Sequence, residues 1–225
     1  MSTEPTTPSA TPNTQVTRLP ERQRRDREAL HDVLDSALVA HVALVRDGVP
    51  VVLPLLHARD GDRLLLHGST GGGLLRAAAA GDPVAVAVTV LDGLVVADSL
   101  FESSANYRSA VVFGRCRVVP PEGRLAAVRA LSDRLLPGRW EEVRLPTPKE
   151  LAATLVLELP LDEASVKVRT GPPSPADETA APPPDGVPLW WGVVPLAQTP
   201  GEPDPAPDLP AGTPVPPSVR ALLGG

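Results

Sequence analysis

The chain has 225 residues, enough for one sizeable domain or two small ones, and a formal net charge of −6 at pH 7. This negative charge disfavours general nucleic-acid binding, which needs a basic face. The single cysteine, Cys116, excludes an intrachain disulfide and a cysteine-rich zinc or iron–sulfur site, and it favours a reducing, cytoplasmic location.

The N-terminal stretch is rich in Ser, Thr and Pro, and we expect residues 1–17 to form a disordered arm. It has no apolar core of the kind found in secretory signals, and no run of the sequence approaches the roughly 18 apolar residues of a membrane span. We therefore expect no contact with a membrane. Residues 20–39 follow as an amphipathic helix with Leu30, Val33 and Leu34 on its apolar stripe.

Residues 41–67 read as a three-stranded meander. Asp47-Gly48 is a hairpin signal between the first two apolar runs, and residues 60–62 form the next turn. Pro50 and Pro54 have no N–H to donate to a ladder, so the second strand is predicted to lie at an edge or a bulge.

The meander ends in His67-Gly68-Ser69-Thr70 and three further glycines, and then Leu74 opens a short helix over 74–80. A strand, a glycine-rich turn and a helix start can hold an anion such as a phosphate on backbone N–H groups. The loop lacks the Gly-Lys-Ser/Thr of a Walker loop and the spacing of a dinucleotide fingerprint. A flexible connection beside a core histidine is the alternative interpretation.

Beyond the helix, residues 84–90 are predicted to form a strand, and Asp92-Gly93 a turn into residues 94–97. The polar segment 101–109 is expected to be a connection that carries ligand groups, leading into a long strand over 110–119 with Cys116 in the core.

Two further helices are predicted over 121–135 and 148–153, the second opened by a capping box from Thr147 to Glu150. Strands over 155–159 and 165–169 follow, and Lys167 and Arg169 share one face of the last. Residues 171–225 hold 16 of the 29 prolines and are predicted to be an irregular tail with a docked strand near 187–196.

The order of these motifs resembles the pyridoxamine 5′-phosphate oxidase-like proteins, in the flavin-nucleotide-binding or nitroimidazole-reductase-like branch. The resemblance covers about residues 18–197. It rests on the order of these segments: His67-Gly68-Ser69-Thr70-Gly71, Asp92-Gly93-Leu94, Asn106-Tyr107-Arg108-Ser109 with Val111-Val112-Phe113-Gly114, Lys167-Val168-Arg169-Thr170 and Trp190-Trp191-Gly192. It implies a mainly β fold, a split β-barrel with flanking helices over residues 18–170, which forms a homodimer.

The resemblance also implies that FMN binds at the dimer interface. It places the ring against the strand of Val52, Leu53 and Pro54 and the phosphate near the loop of His67, Gly68, Ser69, Thr70 and Gly71. Asn106, Tyr107 and Arg108 are the candidates for contacts contributed by the partner subunit, and Arg76, Lys167 and Arg169 complete the predicted cofactor-binding residues. His67 would lie beside the flavin ring as the catalytic group. Relatives usually carry Arg or Lys where this chain has Gly73, so Arg76, or Lys167 and Arg169, would have to supply the cation for the phosphate.

These observations predict a flavin-dependent oxidoreductase that acts on an unidentified small molecule. The alternative is a binding protein without turnover, for a flavin nucleotide or for haem, since His31, His41, His57 and His67 are available as iron ligands. A deazaflavin is a third possible ligand. No other metal site is predicted, and the absence of a G-x-S-x-G elbow disfavours a serine hydrolase.

Overall fold

The computed structural model describes residues 10–174, 187 and 189–224. The described residues form ten strands: β1 (Gln23–Arg24), β2 (Val39–Arg46), β3 (Val49–Asp60), β4 (Arg63–Ser69), β5 (Pro83–Val96), β6 (Ser104–Arg115), β7 (Arg117–Val118), β8 (Thr154–Pro160), β9 (Glu163–Arg169) and β10 (Gly192–Pro195). The predicted mainly β fold class with flanking helices is confirmed.

Five α-helices accompany the strands in the described part of the chain: α1 (Arg27–Ser36), α2 (Gly73–Ala79), α3 (Pro121–Leu135), α4 (Pro148–Ala153) and α5 (Pro217–Leu222). None of them has both the length and the apolar character needed to cross a bilayer. The predictions for α2, α3 and α4 are confirmed within a residue or two, including the capping box in which Thr147 accepts from the Glu150 N–H.

The chain divides into two compact units. The first comprises Met1–Ala37, Ala87–Val112 and Glu163–Ala197, and its strands run in the order β1-β9-β6-β5-β10. The second comprises Leu38–Val86, Phe113–Asp162 and Gln198–Gly225, and its strands run in the order β2-β3-β4-β8-β7 with antiparallel neighbours.

The helix predicted over residues 20–39 is shorter in the structure. It begins only after Asp26, whose carboxylate accepts a hydrogen bond of 2.9 Å from the Ala29 N–H as an N-cap. The predicted stripe of Leu30, Val33 and Leu34 is buried. Pro20–Arg22 forms a 3-10 turn instead, and β1 then pairs with β9. Pairing with a distant strand therefore prevails over the local pattern that predicted a helix from residue 20.

The turn predicted at Asp92-Gly93 is wrong, because β5 continues through both residues. Strand β10 pairs along this stretch, and a Cβ at Gly93 would lie 3.0 Å from the Val194 carbonyl oxygen. Glycine is therefore required here by the close approach of β10 rather than by a turn.

The polar connection predicted over 101–109 is also wrong in part, since β6 already begins at Ser104. Asn106, Tyr107 and Arg108 are therefore strand residues with fixed neighbours. The connection itself is confined to residues 97–103, where Leu100 and Phe101 are almost fully exposed.

In the second unit, Asp47-Gly48 forms the predicted hairpin turn between β2 and β3. Both residues have positive φ, 53° and 77°, as a two-residue hairpin turn of this type requires. Strand β3 then changes partner: residues 49–56 pair with β2, and residues 57–60 pair with β4. The first segment of β3 therefore has one free edge among the described residues, as its prolines predicted.

Helix α3 covers one face of the second unit's sheet. Ala127 and Leu131 pack with Ala58, Leu65 and Val156 in one buried cluster. Burial of these side chains is the main contribution to the stability of this layer.

Gly68 allows α2 to pack closely on the opposite face of β4. A Cβ at position 68 would overlap Cδ1 of Leu75, a buried residue of α2. We expect Gly68→Ala to lower the free energy of unfolding by about 1–3 kcal/mol, the usual cost of overpacking. Urea unfolding measures it, with Gly71→Ala as the matched control, since its added Cβ would be 3.7 Å from the nearest atom, Ser69 Oγ. Equal losses in both variants would contradict this explanation.

The terminal segments differ in part from expectation. Residues 1–9 of the predicted disordered arm lie outside the described residues, but Pro12–Thr14 forms a 3-10 turn and the side chain of Thr14 is buried. In the tail, the described strand β10 is shorter than the predicted 187–196. It pairs with β5, while Trp190 and Trp191 remain about half exposed or more.

Candidate functional site

Strand β4 presents two different environments within the second unit. Side chains alternate along a strand, so His67 shares a face with Leu65 and Gly68 lies on the other. The Leu65 face is covered by α3, whereas the Gly68 face is covered by α2. The imidazole of His67 therefore points away from the helix that follows the glycine loop, which the sequence did not indicate.

A cavity of about 280 Å³ lies on the α3 side, at the lower end of the range for small-molecule sites. Its walls are mostly apolar, with two histidines and two hydroxyl groups among them. The lining residues are Leu38, Leu56, His57, His67, Val128, Leu131, Ser132, Leu135 and Thr154.

His67 contributes a buried, unsatisfied polar atom to the wall of this cavity. Its Nδ1 is buried and accepts or donates no hydrogen bond among the described residues. A buried nitrogen without a partner is costly, typically by about 1–3 kcal/mol, so it indicates a place where a ligand is bound. Burial also lowers the pKa of His67 below its usual 6.5, which keeps the imidazole neutral near pH 7 and able to bind a metal through nitrogen.

This shift has a consequence for stability. Because the unfolded chain protonates His67 near pH 6.5 and the folded chain only at lower pH, the unfolded state binds more protons in between. The free energy of unfolding should therefore fall as pH decreases through 6.5 toward the folded-state pKa. We expect His67→Gln in the cofactor-free chain to flatten the Tm profile between pH 7 and 5, measured beside His41→Gln at an exposed position. Parallel profiles for wild type and His67→Gln would show that this imidazole does not contribute.

Three backbone N–H groups of the glycine loop already donate hydrogen bonds within the chain. The Gly71 N–H donates to Ser69 Oγ at 3.2 Å, the Gly72 N–H to the Ser69 carbonyl at 3.0 Å, and the Thr70 N–H to the Ala153 carbonyl at 3.2 Å. Three amides of the predicted cradle are therefore already occupied within the chain. An anion at this loop would be held more strongly by an additional side-chain cation.

Two arginines of the second unit lie near the loop without a hydrogen bond or ion pair to any described residue. Arg76, predicted from the sequence, is exposed on α2. Arg46, at the end of β2, was not singled out by the sequence: its Nη1 would lie 3.0 Å from a Cβ added to Gly73. Because 26 residues separate positions 46 and 73, no local sequence pattern indicates this proximity.

The predicted ring contacts Val52, Leu53 and Pro54 lie on the free-edged segment of β3. All three are exposed, and Val49 and Leu56 beside them are exposed as well. An apolar strand segment with a free edge and exposed side chains is a surface that another chain or a planar ligand can cover.

The predicted contacts from β6 and β9 already have partners in the first unit. The buried Asn106 donates to the Gly171 carbonyl at 3.0 Å and accepts from Arg169 Nη1 at 2.6 Å. Lys167 Nζ donates to the Arg18 carbonyl at 3.1 Å.

Arg108 is the most heavily bound of these side chains. Its Nη2 lies 2.9 Å from Asp92 Oδ1, and its Nη1 lies 2.7 Å from Asp32 Oδ2 and 2.8 Å from Ser36 Oγ. These contacts raise the pKa of its guanidinium and join α1, β5 and β6. Arg108 therefore stabilises the first unit. Of the contacts predicted from β6 and β9, the half-buried Tyr107 is the one whose side chain makes no hydrogen bond to a described residue.

Comparison with known proteins places this fold among flavin and haem proteins. The chain is 50% identical to the "FAD and Heme binding protein from Mycobacterium smegmatis", covering 89% of this chain and 97% of that one with a TM-score of 0.84. It is 35% identical to "the Flavocytochrome Anf3 from Azotobacter vinelandii", covering 94% and 96% with a TM-score of 0.84. A search of curated proteins found no match.

A family model described as pyridoxamine 5′-phosphate oxidase matches residues 26–168, which include every strand from β2 to β8. The match spans more than half of the chain and contains both faces of β4. The chain belongs to the pyridoxamine 5′-phosphate oxidase family, as the order of its motifs predicted.

Proposed function

We propose that this protein binds a flavin nucleotide and a haem and acts as a redox protein. The observation that carries the haem half is the buried, unpartnered Nδ1 of His67 at an apolar cavity. A neutral histidine in an apolar wall is a common haem iron ligand. The 50% identical relative, which binds FAD and haem, supports the presence of both cofactors.

The flavin half of the proposal places the ring at Val52, Leu53 and Pro54 and the phosphate at the glycine loop. The loop and this edge belong to the same unit, and His67 points to the other face of β4. Two ligands could therefore be held at different places in this unit. The sequence predicted FMN, whereas the similarity to the FAD and haem binding protein of M. smegmatis favours FAD.

When bound, a flavin supplies hydride and electron transfer and a haem supplies one-electron chemistry. The residues of this chain would bind and orient them: His67 as an iron ligand, the apolar cavity walls to exclude water, and the glycine loop beside an anionic group.

The test is an absorption spectrum of the full-length protein purified from cells supplied with a haem precursor. We expect a Soret band and an oxidised-flavin band together, with the released flavin identified as FAD by mass. FMN or a deazaflavin in the extract would correct the cofactor. Protein that shows neither band after incubation with FAD, FMN and haemin would overturn the proposal.

We further propose that the bound flavin makes this chain an oxidoreductase for a small molecule. Oxidation of a reduced nicotinamide by the holoprotein, at a rate that rises with an added acceptor, would support turnover. Flavin reduced by dithionite but never by a nicotinamide or a small-molecule donor would instead support a binding protein without catalysis.

A homodimer is part of the same proposal. The exposed apolar segment of β3 with its free edge gives the surface on which a second copy would pack.

A further inference from the structure

We propose that Arg46 is the residue that binds the flavin phosphate at the glycine loop, and that position 73 is a glycine because the Arg46 guanidinium occupies its side-chain space. This inference rests on the proposed flavin binding and names the residue that would set its preference for phosphorylated flavins.

Gly73 begins α2 in an ordinary helical backbone conformation. Its φ is not among the positive values of this chain, so the backbone there would accept any L-residue at the first position of α2. A glycine in an ordinary helical conformation is a poor choice for stability. Space is the remaining reason, and the atom found in that space is Nη1 of Arg46, 3.0 Å from where a Cβ would lie.

The guanidinium of Arg46 is available to a ligand. Arg46 is exposed and makes no hydrogen bond or ion pair with any described residue, so its donors are available to a ligand. Lys167 and Arg169, the cations that the sequence offered instead, donate to the Arg18 carbonyl and to Asn106. A guanidinium can donate two parallel hydrogen bonds to a phosphate.

Several backbone N–H groups of the glycine loop are not available to a phosphate. The N–H groups of Thr70, Gly71 and Gly72 already have acceptors within the chain. A side-chain cation would therefore replace attraction for a phosphate that these amides do not supply. Arg46 is a cation whose Nη1 lies 3.0 Å from the side-chain position of Gly73, the residue that follows the loop.

The experiment titrates the flavin-stripped, full-length chain with FMN, FAD and riboflavin, using quenching of flavin fluorescence. Arg46→Gln should weaken FMN or FAD binding about 10- to 100-fold, as expected for loss of a charge-assisted contact. Riboflavin, which lacks a phosphate, should bind Arg46→Gln and wild type equally within about twofold. Arg117→Gln, at an exposed arginine on β7 of the same unit, controls for the loss of one positive charge.

Gly73→Ala gives a second, independent variant. The clashing atom is the far end of a flexible side chain, so the fold should tolerate the substitution and Tm should not fall. The displaced guanidinium should nevertheless reduce FMN or FAD affinity toward that of Arg46→Gln. A lower affinity with unchanged Tm is a result that a purely structural role of Gly73 would not produce.

Three outcomes would overturn the inference while leaving flavin binding intact. The first is that Arg46→Gln binds FMN and FAD as well as Arg117→Gln does. The second is that Arg46→Gln weakens riboflavin binding as much as FMN and FAD binding. The third is that FMN and FAD affinity falls in Arg76→Gln but not in Arg46→Gln. A wild-type chain that binds none of the three flavins would overturn the proposed function and this inference together.

Discussion

Replacing His67 with alanine is expected to abolish the Soret band of the purified protein and to leave the flavin band in place. The imidazole lies on the α3 face of β4, in the wall of the apolar cavity, and its buried Nδ1 has no partner among the described residues. Loss of groups that merely support a metal ligand costs about 10- to 100-fold in affinity, so loss of the ligand itself should exceed 100-fold. Haemin titration of the variant, followed at the Soret maximum, measures the effect.

The retained flavin band separates this prediction from general unfolding. His41→Ala removes an exposed imidazole of the same unit and should bind haemin like the wild type. Addition of imidazole to His67→Ala should restore part of the Soret band, because the free ligand can enter the space left by the side chain. If His67→Ala retains full haemin affinity, the iron ligand is another residue and the proposed site is wrong.

Replacing Val52 with aspartate is expected to convert the protein from a dimer to a monomer. Val52 lies in the middle of the free-edged segment of β3 and is 58% exposed, and its neighbour Leu53 is 42% exposed. In a symmetric dimer formed on this edge, two new carboxylates would be brought together without partners, at a cost of about 3 kcal/mol or more. The dimer dissociation constant should therefore rise more than about 100-fold.

Light scattering after size exclusion, over a range of protein concentrations, measures this change. Leu100→Asp, which adds the same charge at a leucine that is 96% exposed in the loop before β6, is the matched control and should remain a dimer. The flavin content should decrease with the dimer, because the predicted ring contacts lie on the same segment. A wild-type chain that is monomeric at micromolar concentration, or dissociation by Leu100→Asp alone, would locate the interface elsewhere.

Two of the Asp-Gly pairs, Asp47-Gly48 and Asp92-Gly93, show where sequence reasoning succeeds and where it fails. Asp47-Gly48 is a turn because both residues take positive φ, a property of the residues themselves. Asp92-Gly93 has the same letters but continues β5, because β10 pairs along it and Arg108 binds the Asp92 carboxylate. Contacts with distant parts of the chain decided the second case.

Some residues of the candidate site could likewise be predicted from the sequence, and others could not. Its histidine and its glycine loop could be singled out from the sequence, since a strand, a glycine run and a helix start are local patterns. Arg46 could not, because nothing in its neighbours marks it and its proximity to Gly73 arises from the packing of α2 against β2. The partners that Asn106 and Arg108 have within the chain, Gly171 and Asp92, were likewise not predictable from the sequence.

By itself, the sequence determined the family, the mainly β fold class and most of the helices and strands, because backbone propensity, capping and side-chain periodicity act over a few neighbouring residues. Only the tertiary structure decided that His67 faces a cavity beneath α3 and that Arg46 lies against the glycine loop. The physical reason is that the direction of a side chain and the state of its hydrogen-bonding groups depend on which distant segments pack around it.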